Sequence, residues 1–252
     1  MAYVSKLSAD IDNSSLNNAT VQWYENGNLI GTLPYKDTVS YSGAVYIAPA
    51  LFNTPQVGNT YTIKVSAPNL PDAEATQTIP PTISLQNPVY TKHIYLANNN
   101  YYNRLQATLH DDPNSENFYR FSFYTYRSLY QIYDGEYLSE ESARNMDFAL
   151  QGSNGFWHGH YYYVSDQYFN GESKTFNFDM SDYYNDNNDT ITLVAISQQL
   201  SPDLYYYAQD IEAGQGDAEF FNEPVTVYSN VQNGIGIFGA FSSDTLRLVI
   251  EP

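Results

Sequence analysis

The amino-acid sequence predicts an all-β protein in two parts, and three observations predict it. Apolar side chains alternate with polar ones over short runs, which is the period of a half-buried strand. Much of the hydrophobic supply is aromatic, with 26 Tyr and 13 Phe in 252 residues, and aromatic side chains fit a pleated surface. The 14 Gly and 12 Pro are spread along the chain, which suits many turns.

Residues 1–80 read as an immunoglobulin-like β-sandwich. Ala19, Val21 and Trp23 alternate with Thr20, Gln22 and Tyr24, so Trp23 is expected between the sheets. Asn26-Gly27 follows as a hairpin turn, and Leu29, Ile30 and Leu33 begin the returning strand. Val45 and Ile47 mark another strand. Tyr61, Ile63 and Val65 mark one more after a Gly58-Asn59 turn, with Thr62 and Lys64 facing out. Short strands with turns between them suggest the sandwich. Ile79-Pro80-Pro81-Thr82-Ile83 is the expected boundary, because two prolines bar helix and central strand alike.

Residues 81–252 read as a larger, aromatic-rich antiparallel β domain with one short helix. Tyr119, Phe121 and Phe123 alternate with Arg120 and Ser122; Ile191, Leu193 and Ala195 alternate with Thr192 and Val194; Leu246, Leu248 and Ile250 give the last strand. The helix starts at Ser201 as N-cap, with Pro202 in the first position and Asp203 complementing the dipole. Leu204, Ala208 and Ile211 share its face, and Gly214 is expected to end it. A shorter helical turn is predicted from Ser139 through Glu140, Glu141 and Ala143. An outer-membrane barrel needs strands of about ten alternating residues; the runs here look mostly shorter, and a capped helix interrupts them.

The formal charge is -18, from 28 acidic and 10 basic side chains. Such a surface repels phosphate backbones and anionic membranes, so nucleic acid is not an expected partner. The absence of cysteine excludes disulfides, thiolate metal sites and cysteine nucleophiles. No P-loop, dinucleotide fingerprint or zincin helix is present, and Gly152 to Gly155 lacks the flanks of a nucleophile elbow.

Three groups of residues carry candidate chemistry. His158-Gly159-His160, with His110-Asp111-Asp112, has ligand types for a transition metal but no fixed spacing, and no catalytic metal is expected. Asp182, Asp186 and Asp189, with the asparagines between them, suggest weak calcium binding at a hairpin tip; the plainer alternative is a loop that bonds its own backbone. No other cofactor is implied. The tyrosine clusters Tyr161-Tyr162-Tyr163, Tyr183-Tyr184 and Tyr205-Tyr206-Tyr207 are the third group. Adjacent residues of one strand cannot all face one core, so Tyr161, Tyr162, Tyr163, Tyr183, Tyr184 and nearby Trp157 are candidate binding residues.

Ala218-Glu219-Phe220-Phe221-Asn222-Glu223-Pro224-Val225 runs through Val227-Tyr228-Ser229-Asn230 to Asn233-Gly234-Ile235-Gly236-Ile237-Phe238-Gly239. This closely resembles the C-terminal signature of a family of uncharacterised Bacteroidota outer-membrane lipoproteins (domain of unknown function, family 4249). Leu200-Ser201-Pro202-Asp203 with Tyr205 to Tyr207, Ser165-Asp166-Gln167-Tyr168-Phe169-Asn170-Gly171, and Asp112-Pro113-Asn114 with Asn117-Phe118-Tyr119-Arg120 are similar to further motifs of that family. The resemblance implies an N-terminal sandwich like the carboxypeptidase regulatory-like domain. It also implies a lipid-anchored, extracytoplasmic outer-membrane protein, facing the cell surface or the periplasm and encoded beside a TonB-dependent transporter. It implies no enzyme activity. The lipobox cysteine is absent here, so a membrane association through an N-terminal lipid is expected of a longer precursor.

The signature residues Glu223, Pro224, Asn230, Asn233, Gly234, Gly236 and Phe238 also have a purely structural reading. Asn233-Gly234 and Gly236 suit turns or bulges, and Pro224 breaks the chain before a strand expected over residues 225–228. The reading that emerges is a non-catalytic accessory to a transporter, capturing cargo or bracing the assembly. A free-standing glycan- or peptide-binding module is the alternative, and a hydrolase with an unrecognised carboxylate pair is the second.

Overall fold

A computed structural model describes residues 2–4, 16–36, 44–49, 52, 54–95, 101–133, 136–145, 148–150, 155–158, 160–181, 190–217 and 227–251. It is mostly β, with antiparallel pairing throughout and one helix among the described residues.

The N-terminal part holds strands β1 (Ala2–Val4), β2 (Thr20–Glu25), β3 (Asn28–Leu33), β4 (Tyr35–Lys36), β5 (Ala44–Tyr46), β6 (Thr60–Ser66) and β7 (Ala73–Thr78). They form a three-stranded sheet in the order β1-β5-β4 and a four-stranded sheet in the order β3-β2-β6-β7. Val21 and Leu33 from one sheet meet Ala44 and Tyr46 from the other, which makes the pair a sandwich. The expected hairpin is present: Glu25 pairs with Asn28, and Asn26 and Gly27 take φ of 48° and 80°, as a two-residue turn requires. Trp23 is half-buried rather than central. It packs on this core from its rim, stacked on Tyr61 at 5.3 Å. Leu29 and Ile30 point outward on the edge strand β3.

Residues 79–85 are irregular, and β8 (Gln86–Tyr95) follows. The remaining elements are β9 (Tyr101–His110), β10 (Phe118–Tyr133), β11 (Glu136–Asn145), β12 (Phe148–Leu150), β13 (Phe156–His158), β14 (Tyr161–Ser165), β15 (Ser173–Ser181), β16 (Ile191–Leu200), α1 (Pro202–Asp217) and β17 (Phe241–Ile250). One sheet has the order β12-β15-β9-β8. The other has the order β13-β14-β10-β16-β17, with β11 also on β10. The long strand β10 explains this arrangement: residues 118–121 pair with β14, while residues 124–133 pair with β11 on the hairpin return.

The core lies between these two sheets. Tyr119, Phe121 and Phe123 of β10 and Leu193 and Ala195 of β16 face Leu105, Ala107 and Leu109 of β9 and Phe176, Phe178 and Met180 of β15. The aromatic rings interlock tilted or edge-on, as between Phe121 and Phe178 at 5.2 Å. The opposite face of β10 and β16 is covered by α1: Phe118, Tyr163 and Leu200 pack against Tyr205 and Ala208.

Three expectations need correction. Ser139 to Ala143 lie in β11, not in a helical turn, because a ten-residue register with β10 outweighs the local helix preference of Glu and Ala. Helix α1 does not stop at Gly214 but continues to Asp217. The argument from strand length against a barrel also fails, since β8, β9, β16 and β17 each have ten residues and β10 has sixteen. The architecture is nonetheless one of open, packed sheets and not a barrel.

Candidate functional site

The resembling motifs converge on two polar knots. The first lies at one end of the larger sandwich. Asp166, only 1% exposed, follows β14. It accepts from the backbone N–H of Asn117 at 2.7 Å, and its own N–H donates to the Asn117 carbonyl at 3.0 Å. The Asn117 amide donates to the carbonyls of Asp112 and Ser115 and accepts from Gln199 Nε2 at 2.6 Å. Asp111 accepts from the Tyr119 hydroxyl and from Gly171 N–H at 2.7 Å. Burial pushes the Asp166 carboxyl above the ordinary aspartate value, against the bonds from Asn117. Burial and the adjacent Asp111 likewise push the Tyr119 hydroxyl up.

Gly171 closes this knot. Its φ is +76°, and a Cβ there would stand 2.7 Å from Pro113 Cβ. Gly171→Ala is expected to cost about 2 kcal/mol from left-handed strain and the clash with a rigid ring. Urea denaturation checks this, and a loss under about 0.5 kcal/mol would remove the stated role of Gly171.

The second knot joins the two sandwiches. Asp203, in the first turn of α1, accepts from three donors: Gln77 Nε2 of β7, the Tyr228 hydroxyl, and Asn230 Nδ2 at 3.0 Å. The bond to Asp203 pushes the Tyr228 hydroxyl up to about 12. Tyr228 N–H also donates to Asp210 Oδ2 of α1 at 2.8 Å. These side-chain bonds hold the segment against α1, and Val227 and Tyr228 are irregular instead of forming the expected strand.

The chain from Asn230 onward forms a closed loop. Asn230 Nδ2 donates to the Phe238 carbonyl at 3.0 Å, and Phe238 N–H donates back to Asn230 Oδ1 at 2.9 Å. Gln232 bridges Glu74 of β7 in both directions, and Asn233 Nδ2 donates to the Asp72 carbonyl. Phe238 meets Trp23 edge-on at 5.7 Å. Asn233, and not Gly234, takes the left-handed φ of 56°; Gly236 is at 146°. Gly234 instead allows close approach, since a Cβ there would stand 3.0 Å from Val231. The loop ends at Ala240, which exchanges bonds with Ser201: Ser201 N–H donates to the Ala240 carbonyl, and Ala240 N–H donates to Ser201 Oγ at 3.1 Å. The N-cap hydroxyl thus serves this loop.

The tyrosines of β14 divide between its faces. Tyr162 enters the inter-sheet core with Trp157 edge-on at 5.2 Å, and Tyr163 is buried beneath α1. Both faces of the strand are covered, so adjacency does not leave these two rings exposed. Tyr161 remains half-buried, with the Arg120 guanidinium 4.5 Å from its ring centre. Tyr205 is buried in the helix contact.

His158 contacts Glu212 of α1 at 3.4 Å, while His160 lies in the turn beyond β13. His110 bonds Ser173 at 2.6 Å, so the histidine segments do not converge. No group of three or more metal-ligand side chains occurs among the described residues. Tyr183, Tyr184, Asp182, Asp186, Asp189, Glu223 and Pro224 lie outside the described residues. The sequence offers Asp203 as a dipole partner and as part of a resembling motif, and it singles out neither Gln77 nor Arg120 as a site residue.

Comparison with known proteins gives one finding. The model of a family described as "Domain of unknown function (DUF4249)" matches residues 3–247. No curated protein and no solved structure matches the chain.

Proposed function

Because the chain belongs to the DUF4249 family, we propose that it is a non-catalytic surface lipoprotein accessory to a TonB-dependent outer-membrane transporter. It captures cargo or braces the assembly, and it is held to the outer membrane by a lipid on its precursor. The supporting observation is how the motif residues spend their polar groups. Asp111, Asp166 and Asp203 accept bonds from the chain's own amides and tyrosine hydroxyls. Carboxylates committed in this way set a shape and leave little capacity for acid–base chemistry. The result is a pair of sandwiches clasped into one presenting surface. This argues against the hydrolase reading, and the -18 charge argues against nucleic acid.

The test is affinity purification of the tagged, full-length precursor from detergent-solubilised native membranes. The expected result is co-purification of the transporter encoded beside it, with the precursor labelled by palmitate. A chain that stays unlabelled and purifies alone even after cross-linking would overturn the reading.

A glycan- or peptide-binding module is favoured by one observation, the outer face of the four-stranded sheet. Its rungs are Arg104–Asp179 at 2.5 Å, Gln106–Asn177 at 2.8 Å, Thr108–Thr175 at 3.0 Å and His110–Ser173. Tyr102 continues this face, with its ring 5.1 Å from the Arg104 guanidinium and its hydroxyl accepting from Arg104 Nη2 at 2.8 Å. Flat polar ladders edged with aromatics suit sugar faces. A glycan array separates this reading from the first.

A further inference from the structure

Among the described residues, Arg120 is a buried cation without an opposite charge. It is 9% exposed and is the buried basic side chain of the described residues. Two other cations have carboxylates: Arg104 has Asp179, and Lys64 has Glu74 at 2.9 Å. Among the described residues Arg120 has neutral acceptors only: its Nε–H donates to Gln198 Oε1, and Nη1 donates to the Tyr163 hydroxyl at 3.3 Å. The chain carries 28 acidic side chains against 10 basic ones, so counter-charge is not scarce. Neutral acceptors recover only part of the cost of taking a charge from water. Rings of Tyr161 at 4.5 Å and Phe241 at 4.6 Å recover more. They come from strands on opposite sides of β10 in the sheet order, Tyr161 from the adjacent β14 and Phe241 from β17 beyond β16.

Of the five guanidinium N–H groups, those on Nη2 bond none of the described residues. Nη2 is not sealed off either, because Ser122 Oγ is the only fully buried side-chain polar atom among the described residues that lacks a partner. Ser122 is itself informative. It is 2% exposed and follows Arg120 on the same face of β10, two residues on. Two side chains with unspent hydrogen-bonding capacity therefore adjoin.

We propose that Arg120 is the anchor of a binding site for a small organic monocarboxylate. A guanidinium fork donates to two carboxylate oxygens side by side. One guanidinium balances one negative charge, whereas a phosphate dianion would add to the self-repulsion of a chain at -18. The Tyr161 and Phe241 rings flank the fork, with Phe241 46% exposed at the rim, and they favour an acid with a planar or apolar body. This goes beyond the transporter partnership and is tested on the isolated chain, so its failure would leave that partnership standing.

The test follows arginine Nε–H resonances by NMR while benzoate is added at ionic strength held constant with chloride. One resonance, absent in Arg120→Lys, is expected to move saturably. Benzoate is expected to bind at least about tenfold tighter than acetate or phosphate, a difference of about 1.4 kcal/mol. It should raise the Tm of the wild type but not of Arg120→Lys. Gln198→Glu supplies an internal carboxylate, so it should fold and abolish the benzoate response whether or not the lysine variant folds. The proposal is overturned by no saturable movement in the wild type, by phosphate binding as tightly as benzoate, or by an undiminished benzoate response in Gln198→Glu.

Discussion

Asp203→Ala is expected to lower stability by about 4 kcal/mol and to free the loop that joins the two sandwiches. The substitution leaves Gln77 Nε2, the Tyr228 hydroxyl and Asn230 Nδ2 without their acceptor, and hydrogen bonds to a charged group are worth about 1.5–3 kcal/mol each without being additive. It also removes an acidic group from the first turn of α1, worth about 0.5 kcal/mol. Asp203→Asn separates these contributions. One amide oxygen can still accept from some of the three donors, so about half the loss is expected. The Tyr228 hydroxyl, pushed up to about 12 by Asp203, should fall toward an ordinary phenol value in both variants. Urea denaturation, limited proteolysis around Asn230 to Phe238, and ultraviolet titration of tyrosine read the three effects. A loss below about 1 kcal/mol with an unmoved tyrosine titration would show that Asp203 does not hold the clasp.

Much of the fold can be read in the sequence wherever one face of a strand is buried. Tyr119, Phe121 and Phe123 alternate because the inter-sheet core lies on one side of β10, and period two is the direct consequence. Asn26-Gly27 is legible because the hairpin demands positive φ at both positions. Strand β11 is not legible, since its Glu and Ala favour helix and only its pairing with β10 decides otherwise. The β14 tyrosines mislead for a related reason: a strand's own sequence does not tell whether one face or both are covered. Asp203 was legible as a helix-start acid, a local role. Its three donors lie 126, 25 and 27 residues away, and no spacing rule connects them. Arg120 hides in the same manner, because the alternation that places it opposite the core says nothing of the carboxylate it lacks.

Asn117→Asp is expected to cost about 4 kcal/mol at neutral pH, and the loss should shrink as pH falls. Asn117 is 3% exposed and works in both directions. Its Nδ2 donates to the carbonyls of Asp112 and Ser115 and approaches Asp166 at 3.4 Å, while its Oδ1 accepts from Gln199. A carboxylate in its place keeps the contact with Gln199, loses every donation and faces Asp166 with like charge. Burial already holds the Asp166 carboxyl above its usual value, with Asp111 raising it further. Two carboxyls so placed cannot both ionise cheaply, so the folded variant keeps a proton that the unfolded chain releases near pH 4. Both groups then have folded pKa values above their unfolded ones. Their contribution to stability is full below about pH 4 and is lost as pH rises through the raised folded values. The gap between variant and wild type should therefore fall to roughly half by about pH 4.5, with the remainder set by the lost donations. Urea midpoints for both proteins across this range measure it. A gap that is constant with pH would mean that Asp166 and residue 117 do not share a buried site, and that the first knot is held by its backbone bonds alone.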